Sequence, residues 1–239
     1  SKKEMKNLRN PGNNANYIII SHNMFMEEAV KLASWRSHDS KTDPLIPFVV
    51  DVDDIYDEFN WGVFDPAAIR DFLKFTRENG DPNNRYYCCL IGDTSYKYKH
   101  LTENQAEKNF VPTFTDIDSH GVLTTDDYFT WYDKQNMPAF AIGRLCVSDS
   151  ETAQILIDKI IEYERNPEPG LWHNRILFIA DDELKEKGIG QDKIHSVQIE
   201  NIESGSSIPD NFERLKIMQV EYPLKNLRKP DVTEALLSA

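Results

Sequence analysis

The chain of 239 residues contains no apolar run near the roughly 20 residues that a membrane-spanning helix needs. Cysteine is scarce: Cys88, Cys89 and Cys146 are the only three, two of them adjacent, which excludes a disulfide framework. Basic residues are also in short supply, with 27 Lys and Arg against 40 Asp and Glu and a formal net charge of −13. That balance argues against a nucleic-acid or anionic-membrane partner, since both require a basic surface. Phosphate-binding signatures are missing, because neither G-x-x-x-x-G-K-[ST] nor a G-x-G-x-x-G after a strand occurs. No G-x-S-x-G nucleophile elbow is present. The six histidines (His22, His38, His100, His120, His173 and His195) are dispersed, and no H-x-x-x-H or C-x-x-C zinc spacing is found. Solenoid repeats and low-complexity tracts are absent. The opening SKKEMKNLRNPGNNAN has no apolar segment, so no signal peptide is expected there.

What is present suits a packed α/β protein. Hydrophobic residues make up 40% of the chain and aromatic residues 11%, enough for a real core. NYIIIS over 16–21, PFVVD over 47–51 and the run 86–92 are buried-type strands. Between them, 25–36 places Phe25, Ala29, Leu32 and Ala33 on one helical face, and Asp65-Pro66 opens a helix that stops at Gly80. The interval 93–135 breaks the rhythm, with short strands expected at 111–115 and 128–132. The alternation resumes with a strand over 139–144 and a helix beginning at Ser148 with Glu151 in a capping-box pattern. A strand at 175–180, a helix at 194–202, a strand at 215–220 and a last helix opened by Asp231 and Glu234 in a second such pattern follow. Alternating strands and helices predict a largely parallel sheet covered on both faces. The expected organisation is a flexible segment 1–15, an α/β subdomain 16–110, and a second α/β subdomain over 111–239.

Ligands of parallel α/β sheets gather outside the carboxyl ends of the strands. Those ends carry Asp51, Asp53, Asp54, Gly92-Asp93, Gly143-Arg144 and Asp181-Asp182-Glu183, a predicted acidic rim. A receiver-like phospho-acceptor reading of Asp51, Asp53 and Asp54 fails on chain length and on the spacing of the other acids. Cys88 and Cys89 lie mid-strand in YYCCLIG, where a thiol packs as a small hydrophobe rather than acting as a nucleophile. Cys146 follows a strand end with no histidine implied nearby, and also reads as structural. His22 and His120 are candidates to line the cleft, with local hydrogen bonding as the competing role. Asp126 and Asp127 in TTDDYF, two acids beside aromatics in a long loop, suit a pocket for a cationic or polar substrate group or a cation; a solvated turn is the alternative. Asp181-Asp182-Glu183 offers oxygen ligands of the kind Ca2+ takes, or a plain acidic turn.

Several blocks, in order, resemble one family. ANYIIISHNMF with EEAVKLASWR, then YYCCLIGDTSYKYK, TTDDYF, AIGR, DKIIEYE and NRILFIADDE are similar to the gingipain-like cysteine peptidases (peptidase family C25), and among them to the PorU-type sortases of type IX secretion. The matching blocks spread over roughly residues 15–185. The resemblance implies a caspase-like, three-layer αβα fold in two adjacent subdomains and a histidine–cysteine dyad that forms an acyl-enzyme. It implies a protein or peptide substrate, no cofactor, and a secreted, cell-surface or outer-membrane location; Ca2+ is the only candidate cation. By the same resemblance Asp126 corresponds to the acid of a primary specificity pocket, with Asp127 beside it. The dyad histidine of the family sits in a Gly-His-Gly turn, which this sequence lacks. His120-Gly121 falls in the wrong block, and DVTEALLSA resembles the helix preceding the histidine strand. Both catalytic residues are therefore expected beyond Ala239, and this stretch alone is expected to be inactive with an incomplete second subdomain. The rival reading is a non-catalytic α/β module that binds a protein partner or a cation through its acidic rim.

Overall fold

The structure, a computed structural model, describes residues 6–10, 14–39, 45–95, 108–118, 121–132, 137–181, 194–205, 208–225 and 228–239. Two compact units are formed, Ser1–Pro167 and Glu168–Ala239. The first contains β1 (Tyr17–Ser21), α1 (Met26–Ser34), β2 (Pro47–Asp51), α2 (Val52–Phe59), α3 (Pro66–Asn79), β3 (Tyr87–Ile91), β4 (Phe114–Asp118), β5 (Gly121–Thr125), β6 (Ala141–Leu145) and α4 (Ser150–Arg165). Strands β2, β1, β3 and β6 lie in that order in one sheet, and every neighbouring pair is parallel. The apolar run YIIIS explains why β1 is central, since a parallel strand covered on both faces needs no polar alternation; all five of its residues are buried.

The two-residue period of the strands sorts the core into two clusters. Ile18, Ile20, Val50, Cys88 and Leu90 pack with Ile55 of α2 and Ile69, Phe72 and Leu73 of α3. Ile19 packs on the opposite side with Ala29 and Leu32 of α1 and Ala153, Ile157 and Ile161 of α4. The result is helix, sheet, helix in three layers. Outside the sheet, β4 and β5 pair antiparallel, with Phe114 opposite Thr125 and Asp118 opposite Gly121.

The second unit contains β7 (Arg175–Ala180), α5 (Ile194–Glu203), β8 (Glu213–Met218) and α6 (Pro230–Ser238). Its strands are parallel, with Arg175 opposite Glu213 and Ala180 opposite Met218. The Arg175 Nε donates to Glu213 Oε2 at 2.8 Å.

Several local expectations are corrected. The compact units part after Pro167 rather than near residue 110, because β6 completes the first sheet against β3 and α4 covers that sheet. Helix α2 was not expected. Asp51, read as a rim acid, caps it by accepting from Asp53 N at 3.0 Å, and Val52, Ile55 and Tyr56 bury its inner face. The expected strand at 128–132 is a single 3-10 turn over Asp127–Phe129, and the strand expected at 111–115 begins later, at Phe114. Phe129 is fully buried, and turning the chain there drops its ring into the core. Helix α4 is capped by Asp149, not Ser148: its carboxylate accepts from Thr152 N at 2.7 Å and from Thr152 Oγ1 at 2.8 Å. Asp231 does not cap α6 either. Pro230 opens that helix, and the Asp231 carboxylate accepts from Lys225 Nζ at 2.8 and 2.7 Å.

Candidate functional site

Register across the sheet puts Ser21, Ile91 and Leu145 side by side at the carboxyl ends of β1, β3 and β6. One residue further on, His22, Gly92 and Cys146 begin the loops that form the rim. Gly92 has φ of 142°, and a Cβ there would meet Phe110 Cβ at 2.8 Å, so only glycine lets the 108–113 segment press against the strand end. Backbone bonds hold it in place: Phe110 N donates to Asp93 O at 3.0 Å, and Asp93 N to Val147 O at 2.8 Å. Asn109 Oδ1 accepts from Thr94 Oγ1 at 2.8 Å and from Ser95 N at 2.6 Å.

Arg144, next to last in β6, ties this rim together. Its Nη1 donates to Gly92 O at 2.8 Å and to Val111 O at 2.6 Å, and Nη2 donates to Pro112 O at 3.1 Å. The same guanidinium grips Asp126 as a fork, Nε to Oδ2 at 2.8 Å and Nη2 to Oδ1 at 2.7 Å. Thr113 Oγ1 adds a bond to Asp126 Oδ1 at 2.8 Å. A planar, permanently charged group with five donors is suited to this; lysine is not. The Arg144 side chain is only 8% exposed, so its charge depends on Asp126 for compensation. Asp126 is thus engaged inward, by Arg144 and Thr113.

Asp127, one residue along, faces the other way. Its N donates to Thr125 Oγ1 at 3.1 Å, and its carbonyl accepts from Thr130 N at 3.0 Å and Trp131 N at 2.8 Å, closing the turn. Its exposed carboxylate borders a cavity of about 660 Å³ together with Arg70 of α3, Phe114 and Asp116 of β4, Tyr128, Trp131 and Tyr132. Phe114 and Tyr128 stack with centroids 3.8 Å apart and planes 10° from parallel, and the Arg70 guanidinium lies 4.6 Å from the Tyr128 centroid. The structure therefore separates the two acids: Asp126 holds the frame and Asp127 lines a pocket.

The cysteines sort as their positions imply. Cys88 faces the α2/α3 cluster, and burial pushes its thiol well up. Cys89 faces the other layer, where burial outweighs the hydrogen bond from Tyr17 and the thiol is pushed up to about 11. Neither has appreciable thiolate near neutral pH. Cys146 is exposed. It lies two strands from His22, roughly 10 Å at the usual strand spacing, and no hydrogen bond between the two is found among the described residues. His22 itself caps the turn after β1, with Nδ1 accepting from Met24 N at 3.2 Å and its ring edge-on to Phe110 at 5.2 Å. His100 and His120 lie outside the described residues, as do Asp182 and Glu183.

The predicted acidic rim is largely committed to the fold. Asp51 caps α2, buried Asp54 sits 2.9 Å from Lys6 Nζ, and Asp93 Oδ1 accepts from Thr94 N at 2.8 Å. Among the described residues no group of three His, Cys, Asp or Glu is placed to hold a metal ion. In the sequence Gly92 and Arg144 stand out only as strand ends, and nothing local singles out Arg70. An arginine on an amphipathic helix reads as solvated surface, and only the fold brings it beside Asp127.

Comparison with known proteins fits this architecture. No curated protein sequence matches the chain. Among solved structures, dimeric latent PorU from Porphyromonas gingivalis is 27% identical with a TM-score of 0.56, over 66% of this chain and 16% of PorU. The complex of P. gingivalis RgpB pro- and mature domains is 19% identical with a TM-score of 0.57, over 89% of this chain and 44% of that one. The Arg-specific cysteine proteinase gingipain R (RgpB) gives 19% and 0.57, over 94% and 45%. The chain thus spans less than half the length of each of these structures, and its fold is the α/β, caspase-like fold of gingipains. The model of peptidase family C25 matches residues 10–239, nearly the whole chain, and the protein belongs to that family.

Proposed function

We propose that this chain is part of a cysteine-type endopeptidase or transpeptidase, of the sortase kind that removes C-terminal signals from secreted proteins. The family match over residues 10–239 carries the peptidase reading, and the 27% identity to PorU favours the sortase form of it. In such a reaction a thiolate attacks the peptide carbonyl, a C–S bond forms and the C–N bond breaks, with an imidazolium giving its proton to the leaving amine. Water or an acceptor amine then attacks the thioester and releases the thiolate. The nucleophile in this reading is none of Cys88, Cys89 and Cys146, and the dyad is supplied from outside this stretch of sequence. What the chain contributes is the frame and a wall: Asp126 acts through Arg144 as a positioning residue, and Asp127 faces the substrate. The reaction needs no cofactor. A cell-surface or outer-membrane location goes with this function; among the described residues no helix is long and apolar enough to cross a membrane.

Two measurements test the reading. Iodoacetamide labelling followed by mass spectrometry is expected to modify Cys146 at the rate of an ordinary exposed thiol, and Cys88 and Cys89 only after denaturation. Fast labelling of any of the three that disappears in His22→Ala would place the nucleophile in this chain and sink the assignment. In the protein that contains this chain, a peptide bearing a C-terminal signal should yield an amide-linked product when a free amine is supplied. Hydrolysis products alone would remove the sortase form and leave a plain peptidase.

A further inference from the structure

The cavity beside Asp127 has a chemistry of its own. Arg70 is held by aromatic faces, 4.6 Å from the Tyr128 centroid and 5.8 Å from that of Tyr132. Its one hydrogen bond among the described residues is from Nη2 to Trp131 O, at a long 3.3 Å. Most of the donors of its guanidinium fork therefore remain available on a group that the rings have already oriented. Asp127 borders the same cavity with an exposed carboxylate, yet the two form no ion pair. Trp131, 45% exposed, presents its indole beside them, and Phe114 stacked on Tyr128 makes a flat apolar floor. Asp116 of β4 also lines this cavity. One guanidinium and two carboxylates against an aromatic wall, in a cavity of about 660 Å³, have the size and polarity of a site for a small ligand that offers both an anion and an N–H donor.

We propose that this cavity binds the carboxy-terminal residue of a peptide, or a free amino acid, with a flat apolar side chain. The ligand carboxylate accepts two parallel N–H bonds from Arg70, the geometry for which a guanidinium is suited. The adjacent nitrogen, amide or ammonium, donates to Asp127, and the side chain lies against Trp131 and Phe114. The carboxylate supplies the specificity: a neutral terminus would leave Arg70 without an anion. Asp127 adds selection for a ligand that also carries an N–H, so a simple anion fits poorly in a chain whose net charge is −13.

The test uses the whole chain and makes no use of catalysis, so it stands or fails separately from the peptidase reading. N-acetylphenylalanine is titrated by calorimetry, and tryptophan fluorescence is followed in parallel with Trp131→Phe to assign the signal. Saturable binding with a dissociation constant of about 1 mM is expected for a ligand of this size. N-acetylphenylalaninamide, lacking only the carboxylate, should bind at least about tenfold more weakly. Arg70→Gln should produce the same loss, and Trp131→Ala, at an exposed position, a loss of several-fold without disturbing the fold. Equal binding of acid and amide, or acid binding unchanged in Arg70→Gln, overturns the proposal, as does no saturation in the native chain. Free phenylalanine separates the sources. Tighter binding than the acetylated form assigns a free amino acid, and weaker binding assigns a chain terminus.

Discussion

Asp126 and Asp127 are neighbours in sequence and belong to different regions of the molecule. Asp126 is turned toward the strand ends, where Arg144 and Thr113 engage both of its oxygens. Asp127 is turned toward an open cavity edged by Arg70 and Trp131. The contrast separates two uses of an acid at the rim of a parallel sheet. One compensates a buried cation that gathers three loop carbonyls, and its removal costs stability. The other makes no such contacts, so its removal should be felt only by a ligand.

The largest expected effect comes from breaking the inward side. Arg144→Ala leaves the Asp126 carboxylate with only the Thr113 hydroxyl and takes the guanidinium donors from the carbonyls of Gly92, Val111 and Pro112. Losing one partner of a buried pair costs about 3–5 kcal/mol, read as a drop in the denaturant midpoint with the slope unchanged. Arg144→Lys should recover only part of it, because an ammonium cannot form the fork. A loss below about 1 kcal/mol in Arg144→Ala would show that the rim does not depend on the clip and would erase the distinction between the two acids.

Next in size is Gly92→Ala. An added Cβ would lie 2.8 Å from Phe110 Cβ, on a backbone with φ of 142°. Strain of this kind costs about 1–3 kcal/mol, and it acts on the same rim by pushing the 108–113 segment off the strand end. Combined with Arg144→Ala the losses should be less than additive, since both variants release one segment. Strict additivity in chemical denaturation would mean that clip and close approach hold separate parts.

How far the sequence anticipates this arrangement depends on the distance over which each signal acts. Strand β1 is legible because YIIIS carries three consecutive β-branched isoleucines, and β3 because YCCLI is a short, uninterrupted apolar run. Helix α3 is legible from Asp65-Pro66 and Gly80, which are cap, first turn and stop. Helix α2 was hidden by its own cap: Asp51, Asp53 and Asp54 look like a cluster of ligands until Asp51 is seen accepting from Asp53 N. The 128–132 stretch has strand-like aromatics, but its conformation follows from burying Phe129 and stacking Tyr128 on Phe114, contacts that no local pattern encodes. At the site, TTDDYF marks the loop correctly and cannot say which acid turns inward. That is decided by Arg144, 18 residues further on, and the pocket by Arg70, on a helix more than 50 residues earlier.

A smaller effect is expected at Asp149, which sharpens the comparison because it is exposed like Asp127 yet engaged like Asp126. Bonds from Thr152, backbone first and hydroxyl second, hold its carboxyl below the ordinary carboxylate value. A group depressed in the folded state stabilises fully above its unfolded pKa, and that contribution is lost as pH falls through the folded value. The cap of α4 should therefore weaken below about pH 4. Asp149→Ala should lower the melting temperature slightly at pH 7, and the difference from the native chain should vanish in strong acid. A difference that persisted there would mean that the carboxylate bonds are not the source of the stabilisation.

The smallest expected effect on stability is at Asp127 itself. Its exposed carboxylate caps nothing, since the turn that follows is closed by its backbone N and carbonyl, which Asn keeps. Asp127→Asn should therefore shift stability by no more than about 0.5 kcal/mol in either direction, as for surface substitutions away from special contacts. The same change at Asp126 removes the charge that compensates Arg144 and should cost about 1–3 kcal/mol. Measured side by side, the two isosteric variants compare the inward, paired setting with the outward, exposed one, because the chemical change is the same in both. Were Asp127→Asn as damaging as Asp126→Asn, the outward acid would be part of the frame and the cavity it borders would have no free carboxylate to offer. If only binding of N-acetylphenylalanine weakens in Asp127→Asn, the outward face of the loop acts on ligand and the inward face on fold.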